Sequence, residues 1–311
     1  MAHIHKIYWG VDNRGDYPNT EGLRESVILP DGFSSNYINC YTWNLALPKL
    51  HDYFYNYNLR NMFLQSIFAW INSYCPDPKY AGTLCLDVEA YCDRLCTERW
   101  FSEDWNNWMT FSERHHLVGT TFNYPRALQK LFNDIYKQVK LARPNARVGF
   151  YGAANVTLYE LDNPELYQAR NNESAWLYTD FDYVHPSWYA PAKIGNPQEN
   201  SFLITEEDFV RWLRANCEEH RRLRTLTQTT VPTIFAISAR YEPSAGPYAQ
   251  TYLSNKELEL LLTIPTEYNF TKCILWDALT SENDRNTIQG MVQYIAQVQR
   301  APVPPPVGGI V

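Results

Sequence analysis

Short apolar, strand-like runs alternate with amphipathic helices along the chain, and this alternation constrains the fold more than any other feature. Strands separated by a helix pair in parallel through crossover connections, so the pattern predicts a βαβ architecture. The strand-like runs are Ile7–Val11, Tyr37–Trp43, Thr83–Val88, Val148–Tyr151, Tyr183–Tyr189, Thr233–Ser238 and Cys273–Trp276. Between them, Leu59–Ile71 carries Met62, Phe63, Ile67 and Trp70 at helical spacing. From Pro125 to Ala142 the set Leu128, Leu131, Phe132, Ile135 and Val139 traces one helix face, which stops at Arg143-Pro144-Asn145. Three later helices open on capping-box patterns, Thr205…Asp208, Ser254…Glu257 and Ser281…Asp284, and the last of them carries Ile288, Met291, Val292 and Ile295 at helical spacing. The expectation is an α/β fold: a (β/α) TIM-type barrel of about seven to eight parallel strands. One domain spans residues 1–300, and the Pro-rich tail, residues 301–311, is extended or disordered.

Composition narrows the function. A net charge of −7 with no basic run argues against nucleic acid as the main partner. No apolar run reaches the roughly 20 residues of a membrane span, and MAHIHKIYWG lacks a signal-peptide core, so the chain as it stands reads as soluble. The seven cysteines show no CxxC pair or Cys/His cluster, so they read mostly as buried thiols, with no metal and no cofactor expected. A G-x-S-x-G elbow, a Walker loop and a dinucleotide fingerprint are all absent from the sequence. The 23 Tyr, 10 Trp and 14 Phe fit either an aromatic-rich core or a cleft on which sugar rings stack.

The chemistry-bearing feature is Leu84-Cys85-Leu86-Asp87-Val88-Glu89, an apolar strand ending in two carboxylates two residues apart. On a strand that spacing turns Asp87 and Glu89 to one face and Val88 to the other. Neighbouring carboxylates do not both ionise easily, so one retains a proton near neutral pH. A protonated acid beside an ionised one is what glycosidic cleavage requires. The bland reading is a helix cap or a pair with Arg94.

The order of further motifs resembles the hyaluronidase family, (β/α)-barrel enzymes that cleave next to an N-acetylhexosamine. Gly82 through Glu89 is similar to the family's strand ending in D-W-E. Arg99-Trp100, Asn106-Asn107-Trp108 and Arg143-Pro144 through Gly149-Phe150-Tyr151-Gly152 resemble its next elements. Trp176-Leu177 through His185-Pro186-Ser187-Trp188-Tyr189 resembles W-L…Y-P-S-I-Y, and Arg240-Tyr241-Glu242, Leu253-Ser254…Glu257-Leu258 and Ile274-Leu275-Trp276 resemble its last strands and helix. The resemblance implies Glu89 as general acid and Asp87 as the group that orients a substrate acetamide, whose own oxygen attacks the anomeric carbon. It implies that Tyr189 hydrogen-bonds the acetamide carbonyl and that Tyr151, Glu242 and Trp276 line the pocket. The early cleft tyrosine would be Tyr17, Tyr37 or Tyr41. Val88 stands where the family has Trp, His185 where it has Tyr, Glu242 where it has Asp, and the family's Cys after the Tyr151 strand is missing.

Three readings follow. The first is an endo-acting, retaining, acetamide-assisted glycoside hydrolase acting on an oligo- or polysaccharide. The second keeps the barrel and makes Glu242 a protein nucleophile opposite Glu89. The third is an inactive carbohydrate-binding or structural barrel, which the fold alone would equally support.

Overall fold

The computed structural model describes residues 4, 6–13, 23–41, 45, 50–88 and 124–300. Within them the strands are, in chain order, β1 (Lys6–Asn13), β2 (Phe33–Ser34), β3 (Tyr37–Tyr41), β4 (Thr83–Asp87), β5 (Arg147–Phe150), β6 (Lys193–Ile194), β7 (Leu203–Ile204), β8 (Phe235–Ser238) and β9 (Lys272–Leu279). Their ladders are all parallel and form a β2-β1-β9-β8 sheet, a β3-β4-β5 sheet and a short β6-β7 pair. The protein is therefore α/β with parallel strands, as the alternation of elements predicts. Among the described residues the ladders do not close into one ring.

Tyr183–Tyr189, expected as a strand, forms only single-residue bridges: Tyr151 with His185, Val184 with Thr233, and Ser187 with Ala236. Pro186 lies in its middle and has no N–H to give a ladder. The Tyr37–Trp43 run is a strand as far as Tyr41, and residues 42 and 43 lie outside the described set. Cys92, Cys96, Arg94, Arg99–Trp108, Tyr17 and the 301–311 tail also lie outside it.

By internal contacts the chain divides into two compact units. The first comprises Met1–Asn36, Ser187–Glu218 and Ile234–Val311; the second comprises Tyr37–Pro186 and Glu219–Thr233. In the second unit β4 is buried along its whole length. Leu84, Leu86 and Val88 join Val148 and Phe150 of β5 in a core with Ile67 and Ile71 of the Tyr57–Tyr74 helix and Leu128, Phe132 and Ile135 of the Tyr124–Ala142 helix. All five residues of the periodic 128–139 set are fully buried, as the spacing predicts. Truncating one such side chain, Leu86→Ala for example, costs about 2–5 kcal/mol. The Tyr124–Ala142 helix ends where Arg143 turns inward: its Nε donates to the Cys75 carbonyl at 2.7 Å and an Nη to Asn72 Oδ1 at 2.6 Å.

In the first unit β1 and β9 pair over eight residues, and Ile288, Met291, Val292 and Ile295 of the Glu282–Arg300 helix are buried. The capping box at Ser254/Glu257 forms, with Glu257 Oε2 accepting from Ser254 N–H at 2.8 Å and Ser254 Oγ accepting from Glu257 N–H; at Thr205/Asp208, Asp208 N–H donates to Thr205 Oγ1 at 3.1 Å, and Asp208 Oδ2 accepts from the Thr205 hydroxyl at 2.7 Å. The third differs. Asp284 N–H donates to Ser281 Oγ at 3.2 Å, but the Asp284 carboxylate accepts from Thr280 N–H at 3.0 Å, one residue earlier than the pattern predicts. The described cysteines, Cys40, Cys75, Cys85, Cys217 and Cys273, are buried thiols. No helix among the described residues is long and apolar enough to cross a membrane.

Candidate active site

Alternation along the β3-β4-β5 sheet sorts its residues by chemistry. The side chains that join the core, Cys40, Leu84, Leu86, Val88, Val148 and Phe150, occupy one face. The other face carries Tyr37, Asn39 and Tyr41 from β3, Thr83, Cys85 and Asp87 from β4, and Gly149 followed by Tyr151 from β5. Asp87 ends β4 at its carboxyl end and is only 5% exposed. The register sets Tyr41 beside it, and Tyr151 N–H donates to the carbonyl of its neighbour Leu86 at 3.1 Å. Asp87 and Tyr151, two of the expected site residues, thus stand at the ends of adjacent parallel strands.

The surroundings of this pair are polar and aromatic. Tyr37 Oη donates to Asn39 Oδ1 at 2.6 Å, and Asn39 Nδ2 donates to Tyr41 Oη at 3.0 Å, a relay running along β3 toward the level of Asp87. His185, 1% exposed, has the rings of Tyr151, Tyr183 and Tyr37 at centroid distances of 5.8, 6.0 and 6.4 Å, each edge to face. Tyr183 crosses beneath Gly149 to donate to the Leu84 carbonyl at 2.9 Å. A Cβ on Gly149 would lie 2.7 Å from the Tyr183 carbonyl and 2.8 Å from its ring, so only glycine fits there. Gly152, at a φ of 83°, then turns the chain after Tyr151 and donates its N–H to the His185 carbonyl at 3.1 Å. Burial, then the Asp87 charge, push the Cys85 thiol well above its ordinary value, so it is no thiolate nucleophile. Burial and then Cys85 likewise push Tyr37 up.

The first unit carries the other expected residues. Tyr189 stacks on Trp276 of β9, with ring centroids 5.8 Å apart and planes 15° from parallel. The next residue, Ala190, offers its carbonyl to Glu242 N–H at 3.1 Å. Burial raises the Glu242 carboxyl above the usual range, while a bond from Ser244 Oγ at 2.7 Å opposes it. Tyr189, Trp276 and Glu242 are each half-buried, so this unit brings together a stacked aromatic pair and a carboxyl.

No protein-family model matches this chain, and no curated protein matches its sequence. Eight solved chains do match. The fold resembles that of bee venom hyaluronidase. The monoclinic crystal structure of that protein superposes with a TM-score of 0.57 and 18% sequence identity, covering 77% of this chain and 78% of that one. At this identity the likeness is one of fold.

Glu89, the expected acid, lies outside the described residues, as do Arg99, Trp100 and Asn106–Trp108. Tyr37 and Tyr41, two of the three tyrosines that the sequence offers for the cleft, lie on the Asp87 face, whereas Asn39 between them was not singled out. Asn39 could have been found from the i, i+2 polar set on β3, which matches that on β4. Arg240 and Asp277 could not, because their bond joins strands 37 residues apart. Among the described residues no group of three or more His, Cys, Asp or Glu stands ready to hold a metal ion.

Proposed function

We propose that this protein is a glycoside hydrolase on a (β/α) barrel that cleaves a glycan beside an N-acetylhexosamine, by a retaining and substrate-assisted route. The observation that carries the reading is Asp87: a buried carboxylate at the carboxyl end of a parallel strand, on a tyrosine-rich face, next to a Val88 that packs in the core. α/β enzymes of this class place their chemistry at that end of their strands. The likeness of fold to bee venom hyaluronidase supports the same class.

In this reading Glu89 acts together with Asp87, as the two-residue spacing in the sequence expects. The acetamide oxygen of the substrate attacks the anomeric carbon as the bond to the leaving sugar breaks, and Glu89 gives its proton to the departing oxygen. Asp87 holds the acetamide N–H and stabilises the positive charge that grows there only toward the transition state. Water then opens the cyclic intermediate, returning its proton to Glu89 and retaining the anomeric configuration. The family resemblance would give Tyr189 the acetamide carbonyl and Tyr151, Glu242 and Trp276 a part in lining the pocket. Glu242 as a protein nucleophile is the weaker reading, because the burial that raises its carboxyl favours the protonated form.

The test is kinetic. Asp87→Asn should lower the rate on hyaluronan or N-acetylglucosamine oligomers by about 10²–10⁴ with little change in fold. A thiazoline mimic of the cyclised acetamide should inhibit competitively. Full activity of Asp87→Asn, or cleavage that the thiazoline leaves untouched, would refute the acetamide route.

A further inference from the structure

The first unit contains a charged cluster centred on Arg240. Its Nε donates to Asp277 Oδ1 at 3.0 Å and Oδ2 at 3.3 Å, and Nη2 reaches Tyr252 Oη at 2.6 Å and Asp284 Oδ1 at 2.9 Å. Nη1 donates to the Gln250 carbonyl at 3.2 Å, and the guanidinium lies over the Tyr252 ring, 4.1 Å from its centroid. Tyr252 Oη in turn donates to Asp284 at 2.9 Å, and Ala278 N–H to Asp277 Oδ1 at 2.7 Å. One side chain therefore ties together the residues after β8, the carboxyl end of β9, the 250–252 loop and the start of the Glu282–Arg300 helix.

The two segments tied most tightly carry site residues. Trp276 immediately precedes Asp277, and Glu242 follows Arg240 by two residues. Their backbones are joined as well: Ala239 N–H donates to the Trp276 carbonyl at 3.0 Å. Charge-assisted bonds held by a planar guanidinium fix direction as well as distance. We propose that Arg240 is a positioning residue for the glycan site, setting the Trp276 ring and the Glu242 carboxyl where a bound sugar meets them. This rests on the functional reading given above for those two residues.

The cluster also makes that positioning sensitive to pH. Burial, opposed by the Arg240 charge, leaves the Asp277 carboxyl at about 6. The charged and titratable groups facing it are Arg240, Asp284 and Tyr252. Burial alone would raise Asp284, but bonds from Thr280, Tyr252 and Arg240 bring it down to about 2, so it stays ionised throughout. As pH falls through 6, Asp277 takes a proton and its grip on Arg240 weakens, while Asp284 holds. Sugar binding should loosen over that window with the chemical step little changed.

The experiment uses the full chain with hyaluronan hexasaccharide and the N-acetylglucosamine hexamer, scored by reducing-end kinetics and by tryptophan fluorescence on binding. Arg240→Met should raise KM about tenfold or more while kcat stays within about threefold, and Arg240→Lys should recover part of the loss. Asp277→Asn should erase the acid limb in KM near pH 6 and leave the limb of kcat in place. It also serves if Arg240→Met proves too unstable to measure. A wild type that neither binds nor cleaves these glycans overturns the functional reading and this inference with it. An active wild type whose KM is unmoved by Arg240→Met, or whose acid limb survives in Asp277→Asn, overturns the inference alone.

Discussion

His220 gives the sharpest test of the packing described here. It sits fully buried on the Glu206–Leu226 helix, its Nε2 2.7 Å from the Ala154 carbonyl and its Nδ1 against the Tyr178 hydroxyl. The carbonyl can only accept, so Nε2 carries the hydrogen and Nδ1 accepts from Tyr178, which defines a neutral ring. Burial holds it far below the ordinary histidine value, at about 3, against the Ala154 bond that works the other way. The folded value is the lower one, so stability is complete above the unfolded value and drains away as pH falls from there toward 3. With an unfolded value of about 6.5 and roughly 1.4 kcal/mol per unit, the loss by about pH 5 is about 2 kcal/mol. His220→Gln keeps a donor and an acceptor but cannot titrate. Urea denaturation of both proteins at about pH 7.5 and about pH 5 should show the wild type losing about 2 kcal/mol more than the variant. Equal losses in the two would refute the assignment of a buried neutral imidazole.

Other outcomes follow from the same packing. Gly149→Val should displace Tyr183, break its bond to the Leu84 carbonyl and cost about 1–3 kcal/mol, read as a lowered melting temperature; an unchanged melting temperature would mean the close approach is not real. Arg170 and Glu160 form a buried pair beneath the segment after Tyr151, with Arg170 also donating to the Asn155 carbonyl at 2.6 Å. Arg170→Met leaves Glu160 buried beside no guanidinium and should cost about 3–5 kcal/mol, whereas the double change Arg170→Met with Glu160→Gln should recover much of that. Equal stability of the single and double variants would contradict the pair.

Much of the fold was legible because its signals are local. The 128–139 apolar stripe, the strand at Thr83–Asp87 and the Ser254/Glu257 box each depend on spacing within a few residues, and each lies where the spacing predicts. The strand expected at Tyr183–Tyr189 shows the limit of that logic: its apolar residues are right, but Pro186 denies the ladder a donor. Asp87 was legible as the polar end of an apolar strand, and Trp276 as part of the last one. Tyr41 was legible as a candidate cleft tyrosine, but its register beside Asp87 was not, nor were His185 among three tyrosines and Arg240 on Asp277, since each contact joins segments remote in sequence and only folding brings them together. Arg143 illustrates the same point: it reads as a helix stop, yet its guanidinium is a buried brace on the Cys75 carbonyl.

Proton donation by Glu89 is the claim from which the rest of the functional reading hangs. Its most direct measurement is reducing-end release from hyaluronan and N-acetylglucosamine oligomers by the wild type and by Glu89→Gln, with circular dichroism and oligomer binding recorded on both. The expected result is release by the wild type alone, with the variant folded and still binding. Turnover by Glu89→Gln at the wild-type rate would contradict it.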